Sequence, residues 1–105
     1  RCAAAFHSVN VKLVKVGGVS PGFEALRAAR QAGLKTMLGC MIESSVLISA
    51  AAHLAELTNY LDLDGNLLVT NDPFHGVTAD HGILSFANAP DQLGLCVRPR
   101  KIQRL

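Results

Sequence analysis

Three short stretches place ionisable groups where they could act on a substrate. Val9-Asn10-Val11-Lys12-Leu13-Val14-Lys15 carries two lysines within a run rich in β-branched residues. In an extended chain successive side chains alternate, so Val9, Val11 and Leu13 share one face and Asn10, Lys12 and Val14 the other. Lys15 then falls on the face opposite Lys12, close to the strand's end. If helices cover the apolar trio, Lys12 points inward, where an unpaired ammonium is costly to desolvate and an amine can serve as a general base. A lysine that reaches solvent at a sheet edge fits the same spacing.

The second stretch is Asp62-Leu63-Asp64-Gly65. Alternation puts both carboxylates on one face, a natural seat for a substrate ammonium; a turn or helix-capping pair reads equally well. A calcium loop is excluded, because the glycine comes too early and Pro73 holds the position that needs a bidentate Glu. The third stretch ends in Glu43, after Gly39-Cys40-Met41-Ile42. Glu43 sits where a strand gives way to a helix, the end of a parallel α/β sheet at which ligands bind. It could also serve only as a first-turn acid complementing the helix dipole. Asp72, His75, Asp80 and His81 lie in turn-rich sequence without metal-type spacing and read as loop residues rather than a metal set.

The elements that must position these groups follow from periodicity and breakers. Val9 to Val16 reads as a strand ended by Gly17-Gly18. Ser20-Pro21 supplies a cap and an initial proline for a helix over about residues 22–32, with Phe23, Leu26 and Ala29 on its apolar face and Gly33 as its stop. Lys35 to Ile42 is a second strand, interrupted by Gly39. Ser44 or Ser45 caps a second helix reaching about Leu57, apolar nearly all round and therefore buried on several sides. Tyr60 to Leu63 is a third, short strand. Strand, helix, strand, helix, strand with short connections gives a parallel sheet. After Gly65, turn material alternates with Leu67-Leu68-Val69 and Ile83-Leu84-Ser85-Phe86, which reads as irregular structure with a small hairpin. The division expected is a barrel part over 1–65 and a return segment with a basic tail over 66–105. All three strands thus put polar groups near the same sheet end.

Composition narrows the class. At 105 residues the chain is one domain or less, half of it hydrophobic, with an aliphatic core because aromatics make up 5% and Trp is absent. The net charge is +2, and Arg98, Arg100, Lys101 and Arg104 crowd the end. With no interleaved aromatics or basic stripe elsewhere, this is a solvated tail rather than a nucleic-acid site. Cys2, Cys40 and Cys96 are far apart and odd in number, so neither a disulfide framework nor a zinc site is expected, and a cytoplasmic setting fits. No apolar run reaches the roughly 20 residues of a membrane span. The chain opens on Arg1 without Met, as a cut, processed or truncated frame would.

Taken together, the segments resemble a known family. Asn10-Val11-Lys12-Leu13-Val14-Lys15-Val16-Gly17-Gly18 is similar to the sixth barrel strand of the mandelate racemase and muconate lactonizing branch of the enolase superfamily. Gly39-Cys40-Met41-Ile42-Glu43-Ser44-Ser45 resembles its seventh strand, and Asp62-Leu63-Asp64-Gly65 the eighth strand of its dipeptide epimerases. Asn71-Asp72-Pro73-Phe74 through Gly82-Ile83-Leu84 is similar to the C-terminal return. The match runs over about residues 8–97. The fold implied is the C-terminal portion of a (β/α)₈ barrel, strands six to eight and tail.

The chemistry implied is abstraction of a proton α to a carboxylate, with Mg²⁺ stabilising the enolate and a lysine as base. Lys12 matches the sixth-strand lysine, Asp62 and Asp64 the pair that binds a dipeptide's α-ammonium, and Cys40, Met41 and Ile42 the pocket lining. Glu43 matches a glutamate of the seventh-strand motif, and Lys15 is given no firm role. The opposing lysine and the acidic metal ligands belong to strands two to five, which this chain does not contain, so no metal site is expected in it. Pro90-Asp91-Gln92-Leu93-Gly94 departs from the family's closure. A full barrel takes about 250 residues, so the chain alone is expected to be inactive. Three strands leave open edges that favour pairing with the rest of the protein or a second copy. Two readings stay beside the epimerase: a non-catalytic, self-associating half-barrel, and a parent of the muconate cycloisomerase kind. The Asp pair favours dipeptides, since muconate has no ammonium.

Overall fold

A computed structural model describes residues 2–87 and 95–101. Three parallel strands form the central sheet: β1 (Ser8–Lys12), β2 (Lys35–Gly39) and β3 (Tyr60–Asp62), in the order β1-β2-β3. Between them lie a single helical turn, α1 (Leu13–Val16), then α2 (Val19–Gln31) and α3 (Ser45–Ala52). The helical crossovers make the sheet parallel, as the element order requires. The return segment holds β4 (Phe74–His75), β5 (Thr78–Asp80), β6 (Ile83–Ser85) and β7 (Arg98–Pro99). Among the described residues no helix is long and apolar enough to cross a membrane.

The first strand is shorter than its β-branched composition suggests. It stops at Lys12, and the chain winds into α1, closed by Gly17 at φ 100 with the Gly17 and Gly18 amides both donating to the Leu13 carbonyl. Burial of Leu13, 2% exposed, overrides strand propensity here. Lys15 therefore lies in a helical turn and not in a strand. Helix α2 begins three residues earlier than expected, with Gly18 rather than Ser20 at its N-cap. Pro21 sits in the first turn, where its lacking N–H costs nothing. Its buried stripe is Gly22, Leu26 and Ala29, spaced i, i+4, i+7, while Phe23 falls to the flank and stays exposed. A side chain at Gly22 would run into Leu13, so the glycine sets how closely α2 approaches. Gly33, at φ 77, ends the helix in a Schellman arrangement, with Leu34 N–H on Ala29 and Gly33 N–H on Arg30.

Strand β2 ends at Gly39, so Cys40, Met41 and Ile42 lie beyond it in the loop. Helix α3 ends at Ala52, and a separate 3₁₀ turn over Ala55–Leu57 takes up the residues expected to extend it. Its Ser45, Ile48, Ser49, Ala50, Ala51 and Ala52 are all buried, in keeping with its near-uniform apolar surface. Val11, Leu13, Leu26, Leu38, Ile48, Leu54 and Leu63 form the core between sheet and helices.

The return segment is tied to α3 by polar contacts. The Asp72 carboxylate accepts from the Ser45 amide and hydroxyl at 2.8 and 2.6 Å, and the Ser49 hydroxyl accepts from the Val77 amide at 2.8 Å. The hairpin is β5 with β6, joined through His81 and Gly82 at φ 47 and 79, the positive pair a two-residue type I′ turn requires. Leu67 and Leu68 belong instead to a 3₁₀ turn over Gly65–Leu68. Strand β4 pairs antiparallel with β7. Pro90-Asp91-Gln92-Leu93-Gly94 and Arg104 lie outside the described residues.

Candidate active site

The strand register brings the key residues into line. Lys12 pairs with Gly39, and Gly39 with Asp62, so the three lie in one row across the carboxyl end of the sheet. Residues in register on parallel strands project to the same face. Lys12 and Asp62 therefore share a face, their backbones two strand spacings or roughly 10 Å apart. Between them Gly39 presents no side chain. A Cβ there would stand 2.7 Å from the Asn10 amide oxygen, so the gap is floored by Asn10, two residues before Lys12 on the same face.

Lys12 is half-buried, and its ammonium donates to the Cys40 carbonyl at 2.6 Å. That carbonyl belongs to the first residue past β2. The Cys40 thiol, 8% exposed, points the other way and lies 3.8 Å from an Asp64 carboxylate oxygen. Burial pushes the thiol's pKa up, with a further push from the Asp64 and Asp62 charges that outlasts the opposing Gly65 and Asp64 backbone contacts. Cys40 is thus held as a neutral thiol beside both acids. Asp62 and Asp64 are exposed and flank buried Leu63, but β3 ends at Asp62 and Asp64 lies beyond it in a helical backbone conformation, so only Asp62 is held in the strand register expected of both acids. Leu61, expected opposite the acids, is 42% exposed because β3 is an edge strand among the described residues.

Gly65 makes the close approach of this loop to the Cys40-Met41 peptide possible. A Cβ on it would collide with the Met41 carbonyl and crowd the Cys40 thiol. On the other side of the same turn, the Glu43 carboxylate accepts the Met41 amide at 3.1 Å. Met41 and Ile42 project outward, 46% and 70% exposed. Lys15 is exposed on α1 and makes no hydrogen bond or ion pair among the described residues, so the fold does not bring it to Lys12. Asp62 and Asp64 also border a cleft of about 510 Å³ whose other walls include Leu67, His81 and Leu84; Lys12 does not reach it. Both acids border this cleft, and Asp62 alone also stands in the lysine row.

Among the described residues no group of three His, Cys, Asp or Glu could hold a metal ion. Asp80 and His81 pair with each other at 2.6 Å in the exposed hairpin turn, and Asp72 is committed to Ser45 and Phe74. Three contributions are not visible in the sequence reading: Asn10 as floor, the Cys40 carbonyl as partner of Lys12, and Asp72 as the cap of α3. Gly39 interrupting a strand was the available signal for the first.

No family model matches the chain. It is 69% identical over 99 residues to an L-Ala-D/L-amino acid epimerase of Pedosphaera parvula, covering 94% of this chain and 28% of that protein. A second relative of the same name, from Flavobacterium johnsoniae, is 50% identical over 88 residues, 84% of this chain and 26% of the relative. Among solved structures, a mandelate racemase/muconate lactonizing enzyme from Roseiflexus sp. superposes with a TM-score of 0.80 at 32% identity, over 92% of this chain and 28% of its own. The dipeptide epimerase from Methylococcus capsulatus, complexed with Mg and L-Arg-D-Lys, gives 0.66 at 40% identity over 71% and 22%. The chain thus spans about a quarter of the length of the proteins it matches. These neighbours are barrel enzymes, and three parallel strands with their helices are consistent with the C-terminal portion of such a barrel. Over most of its length the chain is thus similar to a part of proteins named L-Ala-D/L-amino acid epimerase and of solved mandelate racemase/muconate lactonizing enzymes, and it covers only a fragment of each.

Proposed function

We propose that the whole protein is a dipeptide epimerase and that this chain supplies one of its two bases together with its ammonium seat. The observation that carries the reading is the row Lys12–Gly39–Asp62, which sets an amine and a carboxylate on one face with a side-chain-free gap between them. In this reading Lys12, as the amine, removes the α-proton of the residue being inverted, or as the ammonium returns it from the same side. Asp62 and Asp64 bind the dipeptide's α-ammonium, fixing the α-carbon over the Gly39 gap. Met41 and Ile42 supply apolar contact at the rim, and Cys40 lines the site between base and acids through its backbone carbonyl. Loss of a base so placed typically costs about 10²–10⁴-fold in rate.

Mg²⁺, present in the Methylococcus capsulatus neighbour, supplies enolate stabilisation in the whole protein. Among the described residues no group of three His, Cys, Asp or Glu could hold it; in this reading its ligands come from barrel strands outside this chain. Residues 1–65 form the barrel part and 66–105 the return segment in this scheme. The reading is tested by assaying epimerisation of Ala-Glu type dipeptides in the full-length protein with Lys12→Ala. Loss of turnover is expected; full turnover would refute the role.

A second reading has its own support. The outer edges of β1 and β3 are unpaired among the described residues, and Val14, Met41 and Tyr60 are 53%, 46% and 53% exposed. Such edges template association, so the isolated chain would self-associate without catalysing anything. Sedimentation of the chain decides: a clean monomer with cooperative unfolding removes this reading.

A further inference from the structure

The turn after β2 does more than separate the lysine from the acids. Its two ends are held by different devices. Glu43, at the far end, folds its carboxylate back onto the Met41 amide at 3.1 Å. The peptide carrying that amide also carries the Cys40 carbonyl, because the C=O of Cys40 and the N–H of Met41 belong to one planar unit. Fixing the N–H therefore fixes the direction of the carbonyl. That carbonyl accepts the Lys12 ammonium at 2.6 Å. The next peptide is fixed from the opposite side, where the Met41 carbonyl is packed against Gly65 too closely for any side chain there.

We propose that Glu43 is a positioning residue for Lys12, acting through the Cys40–Met41 peptide. The proposal rests on the reading of Lys12 as a base and deepens it. Lys12 sits on a long, flexible stem, and an unanchored ammonium samples many rotamers. A carbonyl aimed by Glu43 selects the rotamer that keeps Nζ over the Gly39 gap, and reacting geometry is sensitive to displacements of about 1 Å. Glu43 does not touch Lys12 in this scheme, and it needs no charge for the task. It needs an acceptor oxygen at that position, which Gln also provides.

The experiment uses the full-length protein with Glu43→Ala, Glu43→Gln and, as reference, Lys12→Ala. Epimerisation is followed as kcat and KM separately, and Met41 amide hydrogen exchange is read in each variant. In Glu43→Ala, kcat is expected to fall about 10- to 100-fold, with KM within about twofold, since uniform substrate binding is untouched. Met41 amide exchange should accelerate in the same variant. Glu43→Gln should restore most of kcat and the amide protection together.

Several results overturn the proposal. A Glu43→Gln variant as impaired as Glu43→Ala makes the charge, not the aim of the peptide, responsible. A rise in KM of the same size as the loss in kcat/KM makes Glu43 a substrate contact. Wild-type kcat in Glu43→Ala, with Lys12→Ala inactive, removes the proposal alone. Full activity in Lys12→Ala removes the reading beneath it, and the proposal with it.

Discussion

The ammonium of Lys12 donates a 2.6 Å hydrogen bond to the carbonyl of Cys40, the first residue beyond the strand that separates Lys12 from Asp62. The contact crosses from β1 to the end of β2 and turns the lysine toward the acids rather than toward the sheet edge. The thiol of the same Cys40 faces Asp64. One residue thus stands between the amine and the carboxylates, with its backbone on one and its side chain on the other.

The acids give the first prediction. If Asp62 and Asp64 seat an ammonium, Asp62→Asn in the full-length protein weakens a charge-assisted contact of about 1.5–3 kcal/mol. The expected loss in kcat/KM for free dipeptides is about ten- to a hundredfold. Dipeptides blocked at the amino group should be poor substrates of the wild type and respond little to the substitution. Steady-state kinetics with both substrate forms checks it; an equal loss on both would remove the ammonium assignment.

The gap between amine and acid gives the second. A methyl at Gly39 would press on the Asn10 amide, which is the movable end of a side chain rather than backbone. Gly39→Ala should therefore fold, at a cost of about 1–3 kcal/mol. It should also narrow the space over which the α-carbon is proposed to sit. Asn10→Ala in the same protein should recover part of the lost stability, and a double-mutant cycle measured by thermal unfolding reads that coupling.

Gly65 behaves differently, because its obstacle is the Met41 carbonyl, which is backbone and cannot swing away. Gly65→Ala is expected to cost more than Gly39→Ala, about 3 kcal/mol or above. It should also displace the Cys40–Met41 turn. Denaturant unfolding of the two variants side by side tests the order; the reverse order would contradict the packing described.

Asp72 makes stability depend on acid. Burial alone would raise its pKa, but the Ser45 hydroxyl and amide, the Phe74 amide and the Arg100 charge together bring it below the ordinary carboxylate value. A carboxylate with a lowered folded-state pKa contributes stability above its unfolded pKa, about 3.9, and loses it as pH falls through the folded value. Asp72→Asn should flatten this part of the stability curve below about pH 4 and cost about 1–2 kcal/mol at neutral pH as a weakened cap of α3. Melting temperatures of both proteins from pH 7 to pH 3 measure the difference.

The parallel sheet and the faces its side chains take were largely readable because period-two alternation is local. Lys12, Asp62 and Leu63 fall on the faces that alternation assigns, and Gly33 ends α2 where its φ of 77 is required. The departures have tertiary causes. Leu13 is drawn into the core and turns β1 into a helical turn, which takes Lys15 out of the strand. Phe23 loses the buried stripe to Gly22, whose value lies in contact with Leu13 and not in its own hydrophobicity. The partners of Ser45 and Lys12 stand 27 and 28 residues away in sequence, so no local pattern encodes them.

The most direct test of the central claim is α-proton exchange in deuterated water, started separately from each epimer, with Lys12→Ala in the full-length protein. If Lys12 is one of two bases on opposite sides of the α-carbon, exchange from one epimer should collapse while exchange from the other persists through the opposing base. Unchanged exchange from both epimers would contradict the account.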